Sequence, residues 1–134
     1  MNKVITQFGS ESFQQKISAG EHQFLADVDV KLGGTNSGPS PHELLAAALG
    51  ACTGITLNMY AQRKAWPLSN AIVTVDITRT NQIEHFERTI ELIGELDAEQ
   101  RARLLEIANK CPVHLALAGQ IQISTQLINA SETI

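Results

Sequence analysis

The sequence predicts an α+β fold, and three observations predict it. Pro41 to Lys64 opens on a helix-start signal and is apolar on every side. Ile72 to Arg79 and Glu84 to Ile93 alternate apolar with polar residues. Three short segments rich in β-branched and aromatic residues, separated by turn residues, come before the helix.

The opening segments are Val4 to Phe8, Ser12 to Ser18 and Gln23 to Val30, with Gly9-Ser10-Glu11 and Ala19-Gly20-Glu21 between them. They read as a β-meander. Gly33-Gly34-Thr35-Asn36-Ser37-Gly38-Pro39 follows, a composition that holds no regular structure. Ser40 is a good N-cap, Pro41 suits the first helical position, and Glu43 completes a capping box. In the helix from Pro41 to Lys64, Leu44, Leu45, Ala48, Ala51, Cys52, Ile55 and Met59 repeat at three and four. Ala46, Ala47, Leu49, Leu57 and Ala61 make the other side apolar as well. Such a helix is expected to be buried all round, as a central helix covered by a sheet and by a second subunit. Gly50 and Gly54 each cost about 1 kcal/mol of helix propensity against Ala, which points to close approach of another backbone.

Trp66-Pro67 ends this helix. In the strand pair that follows, Val73, Val75 and Ile77 share one face, and Phe86, Ile90 and Leu92 share another, with Thr80-Asn81-Gln82 between the strands. Asp97 and Gln100 form the capping pair of a second helix, whose apolar stripe is Leu104, Leu105, Ile107 and Ala108. Lys110-Cys111-Pro112 breaks it and starts a helical turn through Leu117, closed by Gly119. Ile121, Ile123 and Leu127 alternate with Gln122, Ser124 and Gln126 as a last strand, and Asn129 to Ile134 read as a frayed tail.

At 134 residues, a single domain over 1–134 is the expectation. The hydrophobic content of 43% marks a globular chain, and the net charge of −4, without any basic run, excludes nucleic acid as a partner. The N-terminus turns polar at Asn2, Lys3, Thr6 and Gln7 before a signal-peptide core forms. Leu44 to Met59 carries Thr53, Thr56 and Asn58 and is too short to span a bilayer, so no membrane partner and a cytoplasmic location are expected.

Two cysteines in a cytoplasmic chain are more often reactive thiols or ordinary buried residues than a structural disulfide. Cys52 lies in the middle of the apolar helix, where a small core hydrophobe and a shielded thiol both fit. Cys111 stands at an N-cap position before Pro112. A thiolate there accepts backbone N–H bonds and meets the positive end of the helical dipole, with Lys110 and His114 nearby; a plain structural cap is the alternative. The order helix, two strands, helix, turn allows the two Cα atoms to come within the roughly 7 Å that a disulfide needs. One thiolate could then be oxidised to a sulfenic acid and the other condense with it. His42 projects into the same half of the helix as Cys52 but roughly 15 Å away along the axis. It lines the same cavity, reaches a partner subunit's site, or is a solvated first-turn residue. Glu43 faces away and reads as the capping acid. Cys111 and His114, with Cys52, could form a metal site, although the set is short of the usual ligand count and no metal is expected. His22 and His85 read as surface residues.

The stretch Gly33 to Thr53, ending Leu49-Gly50-Ala51-Cys52-Thr53, resembles the first cysteine motif of the OsmC/Ohr family, and Lys110-Cys111-Pro112-Val113-His114 resembles its second. Order, spacing and the N-terminal meander agree over nearly the whole chain. The form of the first motif, followed by Met59-Tyr60-Ala61-Gln62-Arg63-Lys64, is most similar to a branch also found fused to hydrolase domains. The resemblance implies an OsmC-like fold in an intertwined homodimer with two sites at the interface. It implies thiol-dependent reduction of organic hydroperoxides in an oxidative stress response, with Cys52 as the peroxidatic and Cys111 as the resolving thiol. It also implies no cofactor, and a small-molecule or lipoyl-type dithiol as reductant.

Two departures stand out. The peroxidases carry an acid ten positions before the first cysteine, where this chain has His42. They also use an N-terminal Arg, whereas the first Arg here is Arg63. Lys16, Lys31, His22 or His42 would have to substitute, and a Lys lacks the bidentate fork of Arg. The competing reading is therefore a dimeric binding or thiol-sensing module that keeps the scaffold without fast peroxidase chemistry.

Overall fold

The computed structural model describes residues 1–128. Strands β1 (Val4–Phe8), β2 (Gln15–Ala19) and β3 (His22–Ala26) form an antiparallel three-stranded sheet in the order β1-β2-β3. Two of the expected strands are shorter than the sequence reading. β2 starts at Gln15 rather than Ser12 because residues 9–14 fold into a turn closed by Gly9 N–H donating to the Gln14 carbonyl at 2.8 Å. β3 ends at Ala26 rather than Val30 because Asp27 gathers the following loop. Its carboxylate accepts from the hydroxyls of Thr35 and Ser37 at 2.7 Å each and from the N–H groups of Val28, Thr35 and Ser37. Val30–Leu32 then winds a 3-10 turn capped by Asp29. The loop thus holds the end of the sheet against the start of the first helix, with Asp27 N–H donating to the Pro39 carbonyl at 3.1 Å.

Helix α1 (Pro41–Lys64) has the predicted bounds, and both halves of its capping box are made. Its burial departs from expectation. Only the stripe Leu49, Thr53, Leu57 and Ala61 is buried, while Leu45 and Ile55 are exposed and Met59 keeps 60% of its surface. The strands and helices of one chain cover one side of α1 and no more. Nothing within 4 Å would meet a Cβ on Gly54, and one on Gly50 would touch only the Val75 side chain at 3.9 Å. Among the described residues outside α1, no backbone comes within 4 Å of a Cβ placed on either glycine. At 24 residues, α1 is also long and apolar enough, by length and composition, to cross a membrane, which corrects the argument from a short apolar stretch. Ala65, in the left-handed region at φ 57°, ends the helix.

β4 (Leu68–Thr80) and β5 (Ile83–Gly94) form a long antiparallel hairpin, extending beyond the predicted alternation at both ends. Asn81 and Gln82 turn it with φ of 52° and 65°. The half-buried row Ala71, Val73, Val75, Ile77 on β4 lies beside Phe86, Arg88, Ile90, Leu92 on β5, with Val75 opposite Arg88. Helix α2 (Ala98–Ala108) is capped by Asp97 and Gln100 as predicted. Leu104, Ile107 and Ala108 join Leu57 in the core, but Leu105 points outward. Helix α3 (Pro112–Ala118) starts at the predicted N-cap Cys111.

The strand expected over 121–127 does not form. The segment has no regular structure, and Leu127 is 96% exposed. Its alternation suits a pleated ribbon, but backbone hydrogen bonds need a neighbour, and none pairs with it among the described residues. The expected frayed tail from Asn129 lies outside the described residues.

Candidate active site

The first turn of α3 brings the two cysteines together. Cys52, half-buried on α1, accepts the Val113 N–H at 3.5 Å through Sγ. Cys111, fully buried, accepts the His114 N–H at 3.4 Å in its N-cap role. Val113 and His114 are consecutive residues, so the sulfurs sit over one turn. Both cysteines are free thiols.

A cation that the sequence reading missed lies against this pair. Arg88 occupies the inward row of β5 between Phe86 and Ile90. Its Nη1 donates to Thr53 Oγ1 at 3.0 Å and lies 4.0 Å from Cys111 Sγ; its Nη2 donates to Asn109 Oδ1 at 2.9 Å and contacts His114 Nδ1 at 3.1 Å. Guanidinium has no acceptor, so in this contact His114 Nδ1 is the acceptor and the ring proton sits at Nε2. Thr53 Oγ1 also donates to the Leu49 carbonyl at 2.6 Å and lies 3.8 Å from Cys111 Sγ. Among the described residues no buried side-chain nitrogen or oxygen lacks a partner. Arg88 is therefore pinned at three points, by Thr53, Asn109 and His114. The signal was available: by the period of two, position 88 belongs to the same face as Phe86, Ile90 and Leu92, and a charge in an apolar row needs a partner.

The electrostatic consequence falls on Cys111. Burial pushes its thiol up, but the His114 N–H, Thr53, Cys52 and the Arg88 charge together outweigh burial and leave it below its ordinary value.

The other expected residues are placed elsewhere. His42 makes a 3.1 Å contact with Glu84 Oε1 and does not reach its own Cys52. Glu43 accepts the Ser40 N–H at 2.9 Å in the capping box, and bonding to Ser40 lowers its carboxyl below the usual value. Lys16 lies on the exposed side of β2, in register between Gln7 and Leu25. Among the described residues, neither Lys16, Lys31 nor Lys110 contacts either sulfur, and no three His, Cys, Asp or Glu side chains are placed to hold a metal together. A cleft of about 230 Å³, lined by Leu49, Phe86, Leu117 and Ala118 with Glu84, Arg88 and His114, opens beside the network. Its polar groups are the Glu84 carboxylate, the Arg88 guanidinium and the His114 imidazole, and neither cysteine lines it.

The chain was compared with known proteins. A family described as OsmC-like protein matches residues 34–126. No curated protein matches the sequence. Among solved structures, the chain is similar to an OsmC-like protein from Mycoplasma pneumoniae, with a TM-score of 0.76 at 17% identity over 89% of this chain and 88% of that one. It is similar to the organic hydroperoxide resistance protein OsmC from Legionella pneumophila, with a TM-score of 0.61 at 20% identity over 89% and 90%. The organic hydroperoxide resistance protein OhrB of Bacillus subtilis gives 0.58 at 23% identity over 89% and 91%. At these identities the structural likeness establishes the fold.

Proposed function

The chain belongs to the family of OsmC-like proteins, and from that premise we propose that it reduces organic hydroperoxides through a Cys52–Cys111 disulfide. One observation carries the reading: the two sulfurs accept N–H groups from consecutive residues of one helical turn, with Cys52 half-buried and Cys111 fully buried. The Cys52 thiolate attacks one oxygen of the peroxide. An S–O bond forms, the O–O bond breaks, and the alcohol leaves with a proton, so Cys52 becomes a sulfenic acid. Cys111 attacks that sulfur, the S–S bond forms, and water leaves. A dithiol of small-molecule or lipoyl type returns the pair to thiols.

The reading places the protein in the cytoplasm as a homodimer. The exposed apolar residues of α1 and the unpaired alternating segment 121–127 support the dimer. A second reading, a binding or thiol-sensing module without fast turnover, is favoured by one feature. Cys52 has a single backbone donor, at 3.5 Å, while the cation lies at Cys111.

The two are separated by mixing reduced protein with tert-butyl hydroperoxide and following peroxide loss and free thiols. Peroxidase chemistry predicts loss well above that with free cysteine, abolished in Cys52→Ser, with one Cys52–Cys111 disulfide per chain by mass. Loss no faster than with free cysteine would leave the sensing module.

A further inference from the structure

We propose that Arg88 acts in the reductive half of the cycle: it stabilises Cys111 as the leaving thiolate when an external dithiol opens the disulfide at Cys52. The inference rests on the Cys52–Cys111 disulfide of the reading above. It assigns a role to a residue that neither cysteine motif contains.

The two sulfurs of such a disulfide are unequal. Cys52 is partly exposed and Cys111 is fully buried, so an incoming thiolate meets Cys52. Exchange runs through a mixed disulfide, and its rate rises as the departing sulfur becomes a better leaving group. The departing sulfur is Cys111. Around it stand Arg88 Nη1 at 4.0 Å and the His114 N–H at 3.4 Å, whereas among the described residues Cys52 holds one backbone N–H at 3.5 Å. Arg88 is held in place by Asn109, Thr53 and His114, so its charge is present before the bond breaks.

One thiolate of the dithiol attacks Cys52 Sγ. The new S–S bond forms, the Cys52–Cys111 bond breaks, and its electron pair stays on Cys111 Sγ beside the guanidinium. The second thiol of the reductant, deprotonated by solvent, attacks its own linked sulfur and expels Cys52, which takes a proton from water. The products are the protein with two reduced cysteines and the cyclic disulfide of the reductant.

The test closes the disulfide with diamide, so that it does not depend on peroxide turnover, and follows re-reduction by dihydrolipoamide in the wild type, Arg88→Gln and Arg88→Lys. In Arg88→Gln, re-reduction is expected to slow by about ten-fold or more relative to tert-butyl hydroperoxide oxidation of the same variant, with partial recovery in Arg88→Lys, as for loss of one charge-assisted contact. In wild-type protein, 2-mercaptoethanol followed by rapid alkylation is expected to leave the mixed disulfide on Cys52. An unchanged re-reduction rate, equal slowing of both halves, a mixed disulfide on Cys111, or failure of diamide to close the bond would each overturn the proposal. Absence of peroxide loss alongside the asymmetric re-reduction overturns the peroxidase reading alone and upholds the role of Arg88.

Discussion

At the scale of single residues, the site depends on a few polar atoms in apolar surroundings. Thr53 accepts from Arg88 and donates to the Leu49 carbonyl while fully buried. Thr53→Val keeps the shape and strands one guanidinium donor. It is expected to cost about 1–3 kcal/mol, read as a lower urea midpoint, and an unchanged midpoint would show that Arg88 finds another acceptor. Asp27 is another buried polar centre. The hydroxyls of Thr35 and then Ser37 hold its carboxyl well below the usual carboxylate range. A carboxyl whose pKa is lowered by folding stabilises the native state above its unfolded pKa, and that stabilisation is lost as pH falls toward the folded value. Urea midpoints should therefore decline below about pH 4 in the wild type and less steeply in Asp27→Asn; parallel curves would remove Asp27 as the cause. Of these residues the sequence reading found the cysteines and His114, through their motifs. It missed Arg88, Thr53 and Asn109 because each acts through partners distant in the chain.

At the scale of elements, the helices were legible and the strands less so. A capping box is local, so Ser40 with Glu43 and Asp97 with Gln100 placed the starts of α1 and α2 correctly. A strand depends on its neighbour. β4 and β5 extend each other through pairing beyond their clear alternation, and 121–127 alternates without pairing among the described residues. The turn of the hairpin offers a direct test. Asn81 and Gln82 both have positive φ, which Asn tolerates and Gln does not favour. Gln82→Gly removes a left-handed cost of about 1–2 kcal/mol, partly offset by the greater chain entropy of glycine, and is expected to raise the melting temperature; no rise would mean that the turn is unstrained.

At the scale of the molecule, one side of α1 is left bare. Leu45, Ile55 and Met59 stand exposed on a helix whose opposite stripe is in the core. The homodimer reading expects light scattering to give twice the mass of 14.6 kDa at micromolar protein. It also expects Met59→Glu, which places a charge on that face, to shift the protein toward the single-chain mass. A wild type that scatters as one chain would remove the dimer. The all-round apolar character of α1 was plain in the sequence, but which sides a chain covers by itself depends on how few elements it has to lay against them.

The shared turn of α3 has one more consequence. If the sulfurs bond, positions 52 and 111 become the clasp of a covalent ring that encloses β4, β5 and α2. Chain-entropy reasoning gives a ring of that size about 4 kcal/mol against unfolding. Oxidant exposure would then leave a thermal imprint, with the oxidised protein melting at a higher temperature than the reduced.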